Sequence, residues 1–484
     1  MNSIADRFLL ENGLPPTGCL VNGKWLASDE TFEVKDKYTG LLIAEVSRAS
    51  RQHVSEAVKV AVEAVRKPLI PRERSRILME TARLLEQRRG RFIDTMVAEA
   101  GITVNEANGE FDRSIITLEL SAQEATRLTG EMVPFAASPG AHNRIGFTLR
   151  FPVGVVVAIT PFNAPLNTVL HKVGPALAAG NSMVLKPSAL TPLTSALLGE
   201  ALLDAGLPPG FISIVQGDGD PVGTWLLAEK EVAFYTFTGS TRVGRLVQQA
   251  AGLRRTQLEL GSVASTIVCA DAALEEAIQK IANAGLRKAG QVCTSVQRVY
   301  VHQDVCDAFV RGLVAHASTF KAGDPRDPST KIGPMITEAS ACRAEKWIFE
   351  ARSGGANILI GGERRDSVVT PTIITEVGQL ATVWCEEAFA PLLSIQPFVD
   401  LNATFDDANN TPYGLAAGIF TSNLHDAFKA ARELRFGTVY INETSNARSD
   451  VMPYGGVKES GHGQEGPAYA AREMTEQRLV VFNN

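Results

Sequence analysis

The sequence predicts an α/β protein in which helices cover both faces of parallel β-sheets. From residue 151 onward, short apolar strands alternate with helical stretches, and this alternation is typical of βαβ units. The alternation runs in two series, which meet near residue 260 and indicate two α/β domains.

Composition supports a folded chain and excludes several classes of protein. The 484 residues are 45% hydrophobic and 21% charged, which is enough to bury a large core. A net charge of −6 lacks the basic excess of a nucleic-acid binder, so we expect no nucleic-acid partner. The uncharged stretch Phe151–Leu170 contains three prolines, which excludes a membrane helix. Met1–Pro16 has no apolar core typical of a secretory signal, so we expect a soluble cytoplasmic protein.

The first 128 residues predict a hairpin followed by helices. Asn22-Gly23 is a strong hairpin turn signal between the short strands Cys19–Val21 and Lys24–Leu26. Across residues 52–128, apolar side chains recur at spacings of three and four, which predicts amphipathic helices.

The first βα series occupies residues 151–260. Glycines and prolines mark the ends of its elements, as in Gly180 and Gly206 after two helices. The predicted strands are 153–159, 183–185, 211–215, 233–237 and 256–260, and the predicted helices are 166–179, 191–205 and 241–251.

The second series begins with a strand near residues 266–268 and continues to about residue 440. We predict a helix over 274–289, capped by Asp271 and ended by Gly290. A strand over 297–301 and a helix over 304–319 follow. Cys293 is therefore expected on a polar loop just beyond a helix end.

Cys293 is the first candidate for chemistry. Six cysteines without any C-x-x-C pair form neither a disulfide framework nor a metal-binding pattern, so we predict no metal site. A thiol of ordinary pKa is only a few per cent ionised at neutral pH, so a nucleophilic Cys293 needs help from its surroundings. An inert thiol is the alternative.

Glu259 and Asn163 are polar residues at the ends of predicted strands, where ligands meet α/β sheets. Glu259 precedes Gly261, and its alternative role is a solvated edge charge. Asn163 stands in a turn between two prolines, where its amide is able to donate to an oxyanion. The alternative for Asn163 is a bond to its own backbone.

Two glycine-rich segments are candidates for phosphate-binding loops. Gly461–Gly466 matches G-x-G-x-x-G, but no β-rich strand precedes it and too few residues follow for a βαβ unit. Gly239–Gly244 follows a predicted strand and opens a helix, whose N-terminal N–H groups suit a pyrophosphate. A plain helix cap by Ser240 is the alternative.

Seven motifs in order resemble the aldehyde dehydrogenase superfamily over residues 20–480. The motifs are Thr160-Pro161-Phe162-Asn163, Lys186-Pro187-Ser188, Phe237-Thr238-Gly239-Ser240, Glu259-Leu260-Gly261, Gly290-Gln291-Val292-Cys293, Glu387-Ala388-Phe389-Ala390-Pro391 and Pro453-Tyr454-Gly455-Gly456-Val457-Lys458-Glu459-Ser460-Gly461.

The resemblance implies NAD- or NADP-dependent oxidation of a small aldehyde. Cys293 is expected to attack the aldehyde, giving a thiohemiacetal and then a thioester. Asn163 and the Cys293 backbone N–H would form the oxyanion hole, and Glu259 would activate the deacylating water.

The resemblance also implies a Rossmann-type cofactor site. Lys186 would bind the adenosine ribose, Ser240 the pyrophosphate and Glu387 the nicotinamide ribose. Ala189 stands where many members have Glu, so a 2′-phosphate is acceptable and the choice between NAD and NADP is open. The full set of expected cofactor residues is Thr160, Pro161, Phe162, Lys186, Ser188, Gly239, Ser240, Leu260, Glu387 and Phe389.

By the same resemblance, the chain has three parts and forms a homodimer or homotetramer. Residues 1–128 and 150–259 would form the NAD(P)-binding domain, and residues 260–449 the catalytic domain. Residues 129–149 and 467–484 would form a small β flap for oligomerisation.

Substrate residues are expected among cations near the catalytic motif. Arg448, Arg113 and His171 suit a phosphonate, sulfonate, carboxylate or hydroxy-aldehyde, as in the branch acting on lactaldehyde, phosphonoacetaldehyde and sulfolactaldehyde. Alternatively, Arg448 pairs with Asp450 or Glu443, and Arg113 pairs with Glu110 on its own helix.

Three other functions were considered. A CoA-acylating semialdehyde dehydrogenase usually lacks the carboxylate found at Glu259, so its presence favours hydrolysis. A Cys-dependent esterase would use Cys293 and Glu259 without redox chemistry. A non-catalytic relative would not need Cys293, Glu259 and Asn163 together.

Overall fold

The computed structural model describes residues 13–483, and its fold class is the predicted one. Residues 1–12, which make up most of the segment predicted to carry no secretory signal, and residue 484 lie outside the described part. No helix within the described part combines the length and apolar character that a membrane span needs.

The strands are mostly short and buried. They are β1 (Cys19–Val21), β2 (Lys24–Leu26), β3 (Thr31–Lys35), β4 (Leu42–Ser47), β5 (Met132–Val133), β6 (Arg144–Pro152), β7 (Val155–Ile159), β8 (Ser182–Lys186), β9 (Ile212–Ile214), β10 (Val232–Thr238), β11 (Arg255–Glu259), β12 (Ala264–Val268), β13 (Val296–His302), β14 (Asn357–Ile360), β15 (Arg364–Arg365), β16 (Val368–Val369), β17 (Thr372–Thr375), β18 (Leu392–Phe398), β19 (Ala416–Phe420), β20 (Thr438–Ile441), β21 (Gly461–His462) and β22 (Thr475–Asn483).

The helices pack against these strands and against one another. They are α1 (Arg51–Val65), α2 (Pro71–Gln87), α3 (Arg89–Ala100), α4 (Val104–Arg127), α5 (Asn167–Ala178), α6 (Leu193–Asp204), α7 (Thr224–Ala228), α8 (Thr241–Ala251), α9 (Leu274–Leu286), α10 (Gln303–Ala317), α11 (Glu338–Ser353), α12 (Thr382–Cys385), α13 (Leu401–Asn409), α14 (Leu424–Glu433) and α15 (Pro467–Glu473).

The first sheet is parallel at its centre. Its order is β2-β1-β9-β8-β7-β10-β11-β21, and the five strands from β9 to β11 run parallel. The chain passes from β7 through β8 to β9 on one side and then crosses to β10 and β11 on the other. This reversal leaves a crevice at the carboxyl ends of β7 and β10, which is where ligands bind in such sheets.

Alternating side chains of β7 bury both faces of this sheet. Val155 and Val157 pack in the cluster that contains α1, whereas Val156 and Ala158 pack in the cluster that contains α2, α4 and α5. Because both faces are covered, the strand is almost continuously apolar, as the sequence shows.

The second sheet carries the second series of elements. Its order is β14-β17-β18-β13-β12-β19-β20, with every neighbouring pair parallel except β14 with β17. The loop that holds Cys293 leads directly into β13, near the centre of this sheet.

A separate three-stranded sheet is formed by β22, β6 and β5. β6 pairs with β22 along nine residues, from Pro152 opposite Thr475 to Arg144 opposite Asn483. Several apolar side chains on it are exposed, among them Ile145 and Phe482. The segments predicted as a flap contribute to this sheet, and its role in oligomerisation stays a prediction.

Two local predictions about α9 are wrong. Asp271 does not cap this helix, because its carboxylate instead accepts bonds from Thr421 and Ser422. The helix also ends at Leu286 rather than 289, since Lys288 and Ala289 adopt left-handed backbone angles. The Asn22-Gly23 hairpin, in contrast, joins β1 to β2 as predicted.

Candidate active site

The loop before Cys293 makes an unusually sharp turn. Lys288, Ala289 and Gly290 have φ angles of 50°, 52° and 68°, so three consecutive residues are left-handed. A Cβ at Gly290 would lie 1.9 Å from the Ala390 carbonyl oxygen, so only glycine fits there. Two non-glycine residues in this region cost free energy, and the surroundings must compensate for it.

A buried ion pair holds this turn in place. Lys288 Nζ lies 2.5 Å from Glu110 Oε2 and donates to the Asn163 carbonyl oxygen at 2.8 Å. The other Glu110 oxygen accepts the backbone N–H groups of Leu166 and Asn167 at the start of α5. One carboxylate therefore joins α4, the turn that carries Asn163 and the loop that carries Cys293.

Cys293, Tyr454 and Glu259 form a contiguous chain of polar atoms. Cys293 Sγ lies 2.9 Å from Tyr454 Oη, and Tyr454 Oη donates to Glu259 Oε1 at 3.5 Å. Glu259 is the last residue of β11 and is 3% exposed, while Cys293 is half-buried. The structure thus brings together two residues that sequence reasoning placed separately.

Burial dominates the ionisation of these groups. It raises the pKa of Glu259 to about 8, and the nearby Glu465 carboxylate adds to the increase. Burial, together with the Glu259 carboxylate, also raises the pKa of Cys293 well above its ordinary value. The resting site therefore favours a neutral thiol, and the carboxyl of Glu259 is mostly protonated at neutral pH.

Asn163 lies beside Cys293. Its Nδ2 donates to the Gln291 carbonyl oxygen at 2.8 Å, within the loop that leads to the thiol. The alternative expected for this residue, a bond to its own turn, is not the contact found. Asn163 lines both of the cavities that reach Cys293.

The first of these, the inner cavity, has a volume of about 270 Å³ and lies over the carboxyl ends of β7, β10 and β11. It reaches Cys293 and Glu259 from the side of the first sheet. Its predicted cofactor residues are Pro161, Phe162, Gly239, Ser240, Leu260, Glu387 and Phe389.

The inner cavity fits a dinucleotide. Glu387 uses one carboxylate oxygen to accept the Ser262 N–H, and the other lies 3.1 Å from where a Cβ of Gly261 would be. A side chain at 261 would fill the space in which that free oxygen can meet a ribose diol. The rings of Phe162 and Phe389 meet edge-on at 5.9 Å and form an apolar wall for a planar ring.

Three predicted cofactor residues lie outside the lining of the inner cavity. Lys186 is buried, donates to the Pro187 carbonyl oxygen, and has its pKa lowered to about 8 by burial. Ser188 accepts the Leu190 N–H, and the buried Thr160 hydroxyl is without a partner among the described residues. Lys186 and Thr160 still mark the carboxyl ends of β8 and β7.

The second, the outer cavity, has a volume of about 460 Å³ and approaches Cys293 from the opposite side. Its lining is rich in cations and amides. The basic residues are Arg113, Arg287, Lys288, Lys331 and Arg448.

Besides Lys288, which pairs with Glu110, two of these cations are already paired, but not with the partners that the sequence suggested. Arg113 donates a bidentate pair of hydrogen bonds to Asp450, at 2.7 and 3.0 Å. Glu110 instead forms an ion pair with Lys288. Arg448 donates to Glu465 Oε2 at 2.9 Å rather than to Asp450 or Glu443.

Glu465 is a functional candidate that sequence reasoning missed. Its carboxylate also pairs with the buried Lys172 at 2.8 Å and accepts the Thr238 hydroxyl. It lies in the glycine-rich segment 461–466, which we dismissed as a dinucleotide motif. This segment contributes to the site through the Glu465 carboxylate and not through a glycine-rich phosphate loop.

His171 is farther from the chemistry. It is buried off the lining of both cavities, with Nε2 2.9 Å from Asp450 Oδ1. Burial lowers the pKa of His171 to about 4, so the ring is neutral at ordinary pH. Because His171 contacts Asp450, it helps to hold the carboxylate that pairs with Arg113.

Arg287 is the second residue that sequence reasoning missed. Among residues 13–483 its side chain makes no hydrogen bond or ion pair, although the Glu106 and Glu110 carboxylates are near, so its guanidinium is available in the outer cavity. The predicted helix over 274–289 included Arg287, so the residue was not recognised as part of the loop before Cys293. Its place six residues before Cys293, on the turn after the true helix end, is the signal that would have found it.

Comparisons with known proteins agree with this geometry. A family model described as the aldehyde dehydrogenase family matches residues 25–480. A 3-sulfolactaldehyde dehydrogenase of Priestia aryabhattai is 46% identical over 466 residues, covering 96% of this chain and 98% of that protein. A lactaldehyde dehydrogenase of Methanococcus vannielii is 36% identical over 472 residues, covering 96% and 99%.

Solved structures show the same fold. The structure of an NADP-dependent glyceraldehyde-3-phosphate dehydrogenase from Bacillus halodurans, complexed with NADP, has a TM-score of 0.94. Its sequence is 33% identical, and the match covers 96% of this chain and 99% of that one. The family resemblance drawn from the seven motifs is therefore confirmed.

Proposed function

We propose that this chain, which belongs to the aldehyde dehydrogenase family and so oxidises aldehydes with NAD or NADP, acts on a small aldehyde with an anionic tail. The observation that carries the proposal is the position of Cys293. It is reached by the inner cavity, which fits a dinucleotide, and by the cation-rich outer cavity.

The first half of the reaction takes place on Cys293. The thiolate attacks the aldehyde carbon, and the oxygen that gains charge meets the Asn163 amide and the Cys293 backbone N–H. The nicotinamide, when bound, accepts the hydride that must leave this carbon. The chain is then left with an acyl group held as a thioester.

Glu259 serves the second half. Its carboxylate takes a proton from water, and that water attacks the thioester carbon to release a carboxylate. The raised pKa of Glu259, about 8, makes it a stronger base than an ordinary carboxylate once it is ionised. Water, rather than CoA, is therefore the acceptor that we propose.

The outer cavity selects the substrate through charge. Arg287 is free to form a forked hydrogen bond with a sulfonate or carboxylate, whereas Arg113 and Arg448 are already neutralised by Asp450 and Glu465. A relative with 46% identity is named for 3-sulfolactaldehyde, whose tail has this charge. We propose a short aldehyde with a sulfonate or similar anionic tail as the substrate class.

A matched pair of aldehydes tests the proposal. 3-Sulfolactaldehyde and lactaldehyde share a three-carbon hydroxy-aldehyde and differ in the sulfonate. We expect kcat/KM to be about 10- to 100-fold higher for the sulfonate, as for hydrogen bonds to charged groups. The absorbance of the reduced cofactor is followed with NAD and with NADP. Equal kcat/KM values for the two aldehydes would refute the substrate class.

Thiol substitutions provide the control. Cys293→Ala should abolish reduction of the cofactor with both aldehydes, because no acyl group can be held. Cys306→Ala, which removes another half-buried thiol on α10, should leave the rates unchanged. Activity that survives Cys293→Ala would contradict the proposed mechanism.

A further inference from the structure

We propose that Tyr454 is a catalytic residue of this reaction, whose phenol O–H carries the thiol proton of Cys293 to Glu259. The inference rests on the proposed function of Cys293 as nucleophile. Tyr454 Oη lies 2.9 Å from Cys293 Sγ and 3.5 Å from Glu259 Oε1, so one hydroxyl contacts both groups. In the sequence, Tyr454 stands out only as part of the motif that begins at Pro453.

The thiol needs such help because it is not set to ionise by itself. Its partial burial and the neighbouring Glu259 carboxylate both oppose a negative charge on sulfur. A hydroxyl that donates to the sulfur as it loses its proton stabilises the thiolate through a charge-assisted bond. Tyr454 is positioned to be that donor.

The Tyr454 ring is rigidly held. Its backbone N–H and carbonyl pair with the backbone of Glu465 at 3.1 and 2.7 Å, in a short antiparallel bridge. The Arg448 guanidinium stacks over the ring at 3.8 Å and is itself fixed by the Glu465 carboxylate. Backbone and side-chain contacts to Glu465 therefore fix the hydroxyl between its two partners.

The proton transfer balances without an external reagent. The S–H bond of Cys293 breaks as its proton joins the Tyr454 oxygen, and the phenol proton passes to the Glu259 carboxylate. The products are a thiolate, a neutral phenol and a neutral carboxylic acid. The Glu259 acid then releases this proton to solvent, so that its carboxylate is again available as the base for the water of the second half. Burial raises the pKa of Tyr454 well above its ordinary value, so the phenol is protonated before and after the step.

Alkylation of the cofactor-free enzyme by iodoacetamide tests the relay without any aldehyde. In Tyr454→Phe we expect the alkylation rate at pH 7 to fall about 10- to 100-fold, as when a hydrogen bond to a charged group is lost. The pH midpoint of alkylation should rise by one to two units, which is that fold-change on the pKa scale. The ionisable groups that face the thiol are Glu259, Arg287, Arg448, Tyr440 and Tyr454, and Glu465 in turn acts on Glu259.

Glu259→Gln gives a second test through the proton acceptor. Because this substitution removes the carboxylate that opposes a charge on sulfur as well as the proton acceptor, the test is the coupling of the two residues. Tyr454→Phe should slow alkylation far less in Glu259→Gln than in the unaltered enzyme, because the two residues act in one relay. Fully independent effects of the two substitutions would overturn the relay. A Tyr454→Phe profile that matches the unaltered enzyme would overturn it as well.

Tyr440→Phe is the matched control. This tyrosine is also near Cys293, but its hydroxyl contacts the Met452 sulfur at 3.6 Å. Its loss should leave alkylation unchanged, and an effect as large as that of Tyr454→Phe would contradict a specific role for Tyr454. Because alkylation uses no substrate, this result is separate from the outcome of the aldehyde comparison.

Discussion

The inner and outer cavities meet at one sulfur atom, yet they are built in different ways. The inner cavity is made from the ends of neighbouring parallel strands, with glycines and the carboxylates of Glu259, Glu387 and Glu465 around an apolar wall. The outer cavity is made from α4, the turn before Cys293 and the segment around Arg448. The inner side suits a ligand common to many reactions, whereas the outer side is specialised by its charges.

The two cavities differ in what brings their lining residues together. Strand register brings Pro161, Gly239 and Leu260 together, because the carboxyl ends of parallel strands share one edge. Glu387 and Phe389 are added from the segment before β18 of the second sheet. The outer residues come together only through tertiary packing, and their effective charge depends on which cations are already paired. Substitutions on the two sides should therefore affect different quantities.

The largest effect is expected for Glu259→Gln on the inner side. Loss of the base should lower kcat by about 10²–10⁴-fold for every aldehyde, charged or neutral. In the unaltered enzyme kcat should rise with pH through about 8, because the carboxyl must lose its proton to act as a base. Steady-state rates between pH 6 and 9 check both expectations.

The dependence of kcat on pH also shows whether Glu259 is the base. Glu259→Gln should remove the rise near pH 8 while leaving the dissociation constant for NAD or NADP, measured by fluorescence, unchanged. A variant that keeps the same rise would show that another group is the base.

The next effect concerns the buried ion pair that joins the Asn163 turn to the loop before Cys293. Glu110→Gln should destabilise the protein by about 3–5 kcal/mol, because the buried Lys288 ammonium loses its charged partner. Thermal unfolding measures this change. Glu63→Gln, which breaks an exposed ion pair with Arg66, should cost no more than about 1 kcal/mol. Equal effects of the two substitutions would contradict a structural role for the buried pair.

The smallest effect is expected for Arg287→Met, and it should be confined to the outer side. kcat/KM for 3-sulfolactaldehyde should fall about 10- to 100-fold, the range for a hydrogen bond to a charged group. The value for lactaldehyde should stay within about threefold. Lys331→Met, an exposed cation on the same cavity, should have a weaker effect. A uniform loss for both aldehydes would place Arg287 in the general machinery instead.

Much of the fold could be predicted because its signals are local. The Asn22-Gly23 turn specifies a hairpin by itself, and the buried strand β7 shows as a run of Val between prolines. The Ser240 cap at the start of α8 is likewise visible in sequence, and its hydroxyl accepts the Val243 N–H.

The rest depends on partners distant in sequence. The end of α9 was misplaced because Lys288 and Ala289 turn left-handed only where Glu110 and the Asn163 carbonyl bind the lysine. The pairing of Arg448 with Glu465 was missed because nearer carboxylates were available along the chain. The local sequence does not determine which of several carboxylates an arginine contacts once tertiary packing has brought them near.

The opening of Cys293 to two cavities has a consequence for the order of events in catalysis. An aldehyde and a dinucleotide can arrive by separate routes, so neither has to wait for the other to clear the entrance. The acid product can also depart along the path by which the aldehyde came. The two sides of the Cys293 sulfur can then be filled and emptied independently.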